Sequence, residues 1–224
     1  MHLYTSGSVD GIPWYGVHVL PRTLSRIGNR LVQEPVDEIT KLRGDKRHFE
    51  NISIWEGSRN FLGDTKGDAV EIEAVFHPGS AKRFGLKVRA SADVQKATII
   101  FYDSSTGFFG AEGNLVDSPY PELGQGPAYN QSASPADLVR RSFSEGGRSS
   151  RQRRREEVGE VKFRVFLDRS LLEIFVNGHT CSGIFNSALT DTHIDLFCEG
   201  GSATLQSMDI WEMMPAWPID SAHG

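Results

Sequence analysis

Between Glu160 and Asn177 the chain reads EVKFRVFLDRSLLEIFVN, a pattern few architectures accept. Val161, Phe163, Val165 and Leu167 fall on one side of an extended chain, Lys162 and Arg164 on the other. After a polar break at Asp168-Arg169-Ser170, Leu172, Ile174 and Val176 alternate with Leu171, Glu173 and Phe175. Apolar residues at every second position share one face of a strand, whereas a helix would scatter them around its axis. Two such runs on either side of a short polar break predict a β-hairpin. Their β-branched and aromatic side chains suit a pleated, half-buried surface. The hairpin is therefore read as the centre of an all-β domain.

The flanking chain keeps this rhythm. Residues 1–19 are poor in apolar pattern, although Trp14 and Tyr15 stand out. Leu20 to Val36 reads as extended chain with Pro21 and Pro35 at its margins, and Pro35 is expected to open a short helical turn through Val36, Ile39 and Leu42. Strands are predicted around Phe49, Ile52 and Ile54, over Ala69 to Phe76, around Leu86 to Ala90, and over Ala97 to Tyr102. Turn sequences separate them, His77-Pro78-Gly79-Ser80 and Asp103-Ser104-Ser105-Thr106-Gly107 among them. Beyond the central hairpin, His179 to Phe185, Thr192 to Cys198 and Ala203 to Met213 are further strands. Short strands at regular spacing predict a two-sheet antiparallel β-sandwich.

Ser118 to Gly159 breaks the pattern. This stretch is rich in Pro, Gly, Ser and Gln and is predicted to be a long disordered insert. Seven Arg and three Glu fall within Val139–Glu157, so with a net charge of -5 overall the rest of the chain carries -9. A basic run of this kind can meet nucleic acid or acidic surfaces, but it is more commonly a solvated disordered segment. The acidic balance elsewhere argues against nucleic acid as the main partner of the whole chain. No apolar run approaches the ~20 residues of a membrane-spanning helix. Residues Met1 to Gly16 show neither the basic start nor the apolar core of a signal peptide.

Chemistry-bearing residues are sparse. Cys181 and Cys198 are expected to be free thiols. If 179–186 formed a hairpin with 191–198 across Ser187–Thr190, Cys181 would face Leu196. Cys198 would then lie on the diagonal, roughly 7–8 Å away and beyond comfortable bridging distance. The same hairpin would bring His179, Cys181, His193 and Cys198 together, a donor set that suits zinc. Their spacing matches no compact zinc module, so no metal is expected. There is no G-x-S-x-G, no P-loop and no G-x-G-x-x-G. Asn51-Ile52-Ser53 and Asn130-Gln131-Ser132 are glycosylation sequons, meaningful only in a secreted protein. Trp55, Phe108 and Phe109, with Tyr120 and Tyr129 in the insert, are candidate sugar-stacking rings at loop-like positions. Core or edge packing is the competing reading, favoured for Trp55.

The segment from Phe166 to Asn177, FLDRSLLEIFVN, resembles the F-x-D-R-S-x-x-E-x-F-x-N hairpin in the C-terminal β-sandwich of glycoside hydrolase family 32, the family of invertases, inulinases and levanases. Other pieces follow in the family's order. Leu20-Pro21-Arg22 with Leu31, Gln33, Pro35, Val36, Glu38, Leu42 and Arg43 resembles the opening of that sandwich. Gly85 to Ser91 and Ala97 to Asp103 resemble its middle strands, and Asp209 to Met213 its last. The resemblance covers roughly residues 14–116 and 160–214, and implies that 1–19 is a remnant of the link from a catalytic β-propeller, 20–214 the sandwich and 215–224 a tail. It also implies two carboxylates acting by retaining double displacement, which needs them about 5–5.5 Å apart. In the family these lie on the propeller, in motifs containing Asp-Pro and Glu-Cys. This chain has neither dipeptide. No catalytic residue carries over. Asp168 and Glu173 are expected to be turn and strand-edge groups.

Two functional classes follow. The first is the non-catalytic C-terminal module of a β-fructofuranosidase-type hydrolase, in truncated form, inactive alone and without cofactor. The parent reaction would be hydrolysis of β-fructofuranosidic bonds in sucrose or fructans. The second is a stand-alone carbohydrate-binding or protein-interaction sandwich. The expected partners are the missing propeller or a second copy of the chain, with fructan or another carbohydrate as a ligand and no membrane. Family members are often secreted or vacuolar, an implication that the N-terminal residues, read as no signal peptide, leave open for this chain. Trp14, Tyr15, Val17, Leu20 and Arg22 are the candidate inter-domain surface. An exposed apolar patch would mark the first class.

Overall fold

The computed structural model describes residues 2–4, 16–28, 30–94, 96–113, 115, 159–185 and 190–216. The predicted disordered insert, Trp14, Tyr15, Tyr120, Tyr129 and the tail beyond residue 216 lie outside them.

The chain is a two-layer antiparallel β-sandwich, as the alternation predicts. One layer has six strands in the order β12-β11-β10-β6-β14-β5. These are β5 (Arg43–Trp55), β6 (Ala69–His77), β10 (Val161–Asp168), β11 (Leu171–Val176), β12 (His179–Ile184) and β14 (Ser202–Met213). The facing layer has four, in the order β13-β7-β8-β9: β7 (Arg83–Ala90), β8 (Thr98–Asp103), β9 (Phe109–Glu112) and β13 (His193–Glu199). Every pairing is antiparallel. Two small ribbons precede them. In one, β1 (His2–Tyr4) pairs with β2 (Gly16–His18); in the other, β3 (Arg22–Ile27) pairs with β4 (Arg30–Pro35).

The central hairpin forms with Val165 opposite Ile174 and Asp168 opposite Leu171. Val161, Phe163, Val165, Leu167, Leu172, Ile174 and Val176 all point into the core between the sheets. Their counterparts from the other layer include Phe84, Leu86, Val88, Ile100 and Leu196. Burial of apolar area at this interface is the main driving force for the fold. Gly85 lets the two middle strands of the smaller sheet come close: its φ is +152°, and a Cβ there would sit 2.2 Å from the Ile100 carbonyl oxygen.

Four expectations need correction. Leu20 to Val36 is not one extended run, because Gly28 (φ +61°) turns it into the β3–β4 hairpin. Pro35 ends β4, and the short helix begins two residues later as a 3-10 segment, Asp37–Leu42. Phe109 lies not in a loop but in β9, opposite Tyr102 and 1% exposed. The hairpin pairing 179–186 with 191–198 does not form. Instead β12 turns back on β11 through Asn177 and Gly178, both at positive φ (+48° and +80°), the backbone a type I′ turn requires. β13 crosses to the other layer and pairs with β7. Neither Cys181 nor Cys198 forms a disulfide, and the two stand on different sheets.

Candidate functional site

The outward face of the six-stranded sheet is the unusual surface of this molecule. Strand alternation should make it polar and wet, and its residues include Glu71, Glu73, Lys162, Arg164, Glu173 and Phe175. The N-terminal hairpin and the 3-10 segment lie over part of it. Ile39 packs with Phe166 and Phe175, flanked by Leu20, Leu42 and Met213. Two ion-pair groups fill the covered part.

In the first group Glu173 has no exposed surface. It accepts the Leu20 backbone N–H, and the Arg22 guanidinium donates to it at 2.8 Å. Arg22 also donates to Ser182 Oγ at 2.8 Å and to Gln33 Oε1 at 3.2 Å, with its guanidinium over the Phe175 ring. The hairpin is further fixed by the Gln33 N–H donating to the Gly178 carbonyl at 3.2 Å. Burial pushes the Glu173 carboxyl above its ordinary range, against the pull of the Leu20 N–H and Arg22. Glu173 is thus no strand-edge group: it sits mid-sheet between β10 and β12, buried beneath the hairpin. Asp168 does border its turn and is exposed, as expected.

In the second group Glu71, also without exposed surface, receives Arg43 Nε at 2.8 Å and Arg164 Nε at 2.7 Å. Glu73 faces the same two guanidinium groups. The hydrogen bonds it donates to Glu71 hold the Arg43 guanidinium firmly charged, and that guanidinium stacks 3.7 Å from the Trp211 ring centroid. Arg164 Nη2 is buried with no partner among the described residues. These two groups were not legible as a pair of clamps, since Arg22 and Glu173 are 151 positions apart.

Beside the clamps, between the hairpin and the sheet, opens a cleft of about 430 Å3. Ile27, Val32, Gln33 and Glu34 form its wall, and Glu73, Val75, Lys162, Arg164 and Phe175 lie along its floor.

The hairpin also carries exposed apolar side chains. Leu24, Ile27 and Leu31 are 62%, 63% and 56% exposed. Leu24 and Leu31 share one of its faces as diagonal neighbours, and Ile27 is at the tip. Of the candidate inter-domain residues, Leu20 and Arg22 are half-buried against the module's own sheet, and Val17 lies in β2. Trp55 is exposed at the end of β5, its ring edge-on to Phe61 at 5.7 Å. Phe108 stacks on Phe101 at 6.4 Å on the other sheet. Phe109 is in the core and out of reach of a sugar ring. The three rings make no common platform. His179 and Cys181 stand on β12, His193 and Cys198 on β13, so they do not form a four-residue set on paired strands. Among the described residues no three His, Cys, Asp or Glu side chains converge to hold a metal, and no helix is long and apolar enough to cross a membrane.

Comparison with known proteins completes the assignment. Residues 38–212 match the model of the glycosyl hydrolases family 32 C-terminal domain. A levanase of Bacillus subtilis is 29% identical over 223 residues, which covers 95% of this chain and 29% of the levanase. An extracellular exo-inulinase of Aspergillus awamori is 26% identical, covering 94% of this chain and 37% of the relative. The crystal structure of an Aspergillus awamori exo-inulinase superimposes with a TM-score of 0.62 at 20% identity, over 94% of this chain and 38% of that one. That of fructan 1-exohydrolase IIa from Cichorium intybus does so with 0.62 at 19%, over 91% and 42%. The chain thus spans less than half the length of these relatives. It belongs to glycosyl hydrolase family 32, and what it comprises is that family's C-terminal β-sandwich module.

Proposed function

We propose that this module supports the catalytic propeller of a β-fructofuranosidase-type hydrolase, an enzyme that cleaves β-fructofuranosidic bonds in sucrose or fructans. One observation carries the reading. Three of the five exposed large apolar side chains among the described residues, Leu24, Ile27 and Leu31, are concentrated on one short hairpin. The Arg22–Glu173 clamp holds that hairpin to the sandwich. Single exposed apolar residues are ordinary, but a cluster on a firmly anchored projection marks an interaction surface. A propeller packed against the hairpin would cover these side chains. Residues 1–19 are the link to that domain and 20–214 the sandwich proper.

The module holds no carboxylate pair that matches the family's catalytic motifs, so the chemistry belongs to the propeller. The purified chain is expected to release no fructose from sucrose, inulin or levan. Measurable release would overturn the module reading.

A further inference from the structure

We propose that the cleft beneath the β3–β4 hairpin binds a short neutral oligosaccharide, so that the module contributes a sugar site as well as support. The proposal rests on the carbohydrate-hydrolase reading above. The cleft floor is built from two cross-strand rows. Phe175, Arg164 and Glu73 are neighbours across β11, β10 and β6. In the next row Lys162 faces Val75, and its backbone N–H donates to Asn177 Oδ1 at 3.2 Å. Opposite them the hairpin presents Glu34 and Gln33, and Asp37 follows at the start of the 3-10 segment.

The chemistry of this lining selects the ligand. Arg164 and Lys162 only donate hydrogen bonds, Glu34, Asp37 and Glu73 accept them, and Gln33 does both. Sugar hydroxyls donate and accept, so a lining that interleaves the two kinds suits them. Phe175, Val75 and Val32 supply apolar surface for C–H faces. Three carboxylates against two cations make the lining acidic, and Arg164 is already engaged by Glu71 at 2.7 Å and Glu73 at 3.4 Å. A phosphate or carboxylate ligand would meet repulsion there, and a neutral one would not. The volume of about 430 Å3 falls within the range of small-molecule sites.

The test is calorimetric titration of the full chain with 1-kestose and longer inulin-type oligosaccharides. Lys162→Ala and Glu34→Ala change exposed side chains that line the cleft and make no contact with the buried clamps, so the fold should survive; thermal melts check this. Binding in the millimolar range or tighter, weakened at least tenfold in the double variant and unchanged by Trp55→Ala, is the expected result. Absence of binding up to the solubility limit overturns the proposal. So does binding that Trp55→Ala abolishes while the double variant retains it. Loss of the cleft would leave the family reading intact, because that reading is tested by fructose release.

Discussion

Glu173 shows how far a residue's role can depart from its local pattern. In the alternation of β11 it occupies an outward position, where a carboxylate is ordinarily solvated, yet it has no exposed surface. The hairpin that buries it is encoded some 150 positions earlier, so no window around Glu173 reveals the burial. Removing one member of a buried ion pair strands the other, and Glu173→Ala is expected to lower the unfolding free energy by about 3 kcal/mol, measured by urea denaturation. The pH dependence has a definite sign. Burial raises this carboxyl's folded pKa above its unfolded value, so the native state binds the proton more tightly. Its contribution to stability is full below the unfolded pKa and declines as pH rises through the folded one. Glu173→Gln lacks that decline. The stability difference between the variant and the parent chain should therefore move in the variant's favour from pH 4 to pH 7, and denaturation midpoints at the two pH values check it. Gly85 is a sharper case. Its positive φ and the 2.2 Å approach of Ile100 O leave no room for a Cβ, and Gly85→Ala should cost about 3 kcal/mol or more.

At the scale of elements, the central hairpin was fully legible because period-two alternation depends only on neighbours in sequence. The strands around Leu86 and Ala97 were legible for the same reason, whereas the Asn177–Gly178 turn that joins β11 to β12 was passed over. The partner of each strand was not legible. A local reading pairs β12 with β13 because they are adjacent in the chain, but the sandwich assigns them to opposite layers. The reading of two unbridged thiols holds although the pairing behind it does not. Burial pushes the Cys181 thiol up to about 12 and raises that of Cys198 as well. Both should resist a thiol reagent in the native protein at pH 8, and two thiols per chain should react once it is unfolded in guanidinium. A single reactive thiol, or none, in the denatured state would contradict the arrangement. The site was less legible than the fold. Arg22 was singled out as a candidate inter-domain residue, but its partner Glu173, the cleft beside it and the apolar tip with Ile27 exist only once the hairpin is laid across the sheet.

For the molecule as a whole, the exposed hairpin predicts behaviour in solution. The isolated chain should bind a hydrophobic dye such as ANS through Leu24, Ile27 and Leu31, and the Leu24→Ser/Leu31→Ser double variant should lose most of that signal. Its stability should change by about 0.5 kcal/mol or less, as for other exposed substitutions away from the core. An unchanged dye signal would place the sticky surface elsewhere. A different consequence follows from the position of β14. It comes after every other strand of the sandwich in chain order, yet it lies between β5 and β6 and bonds to both. While the protein is being synthesised, the larger sheet therefore exists only as two separated parts, with unpaired strand edges at β5 and β6. The ribosome must deliver residues 202–213 before either edge can close. The sandwich can therefore mature only after residues 202–213 have left the ribosome, and a nascent chain stalled before residue 202 should be held by chaperones and be open to proteases, whereas one that presents β14 in full should not.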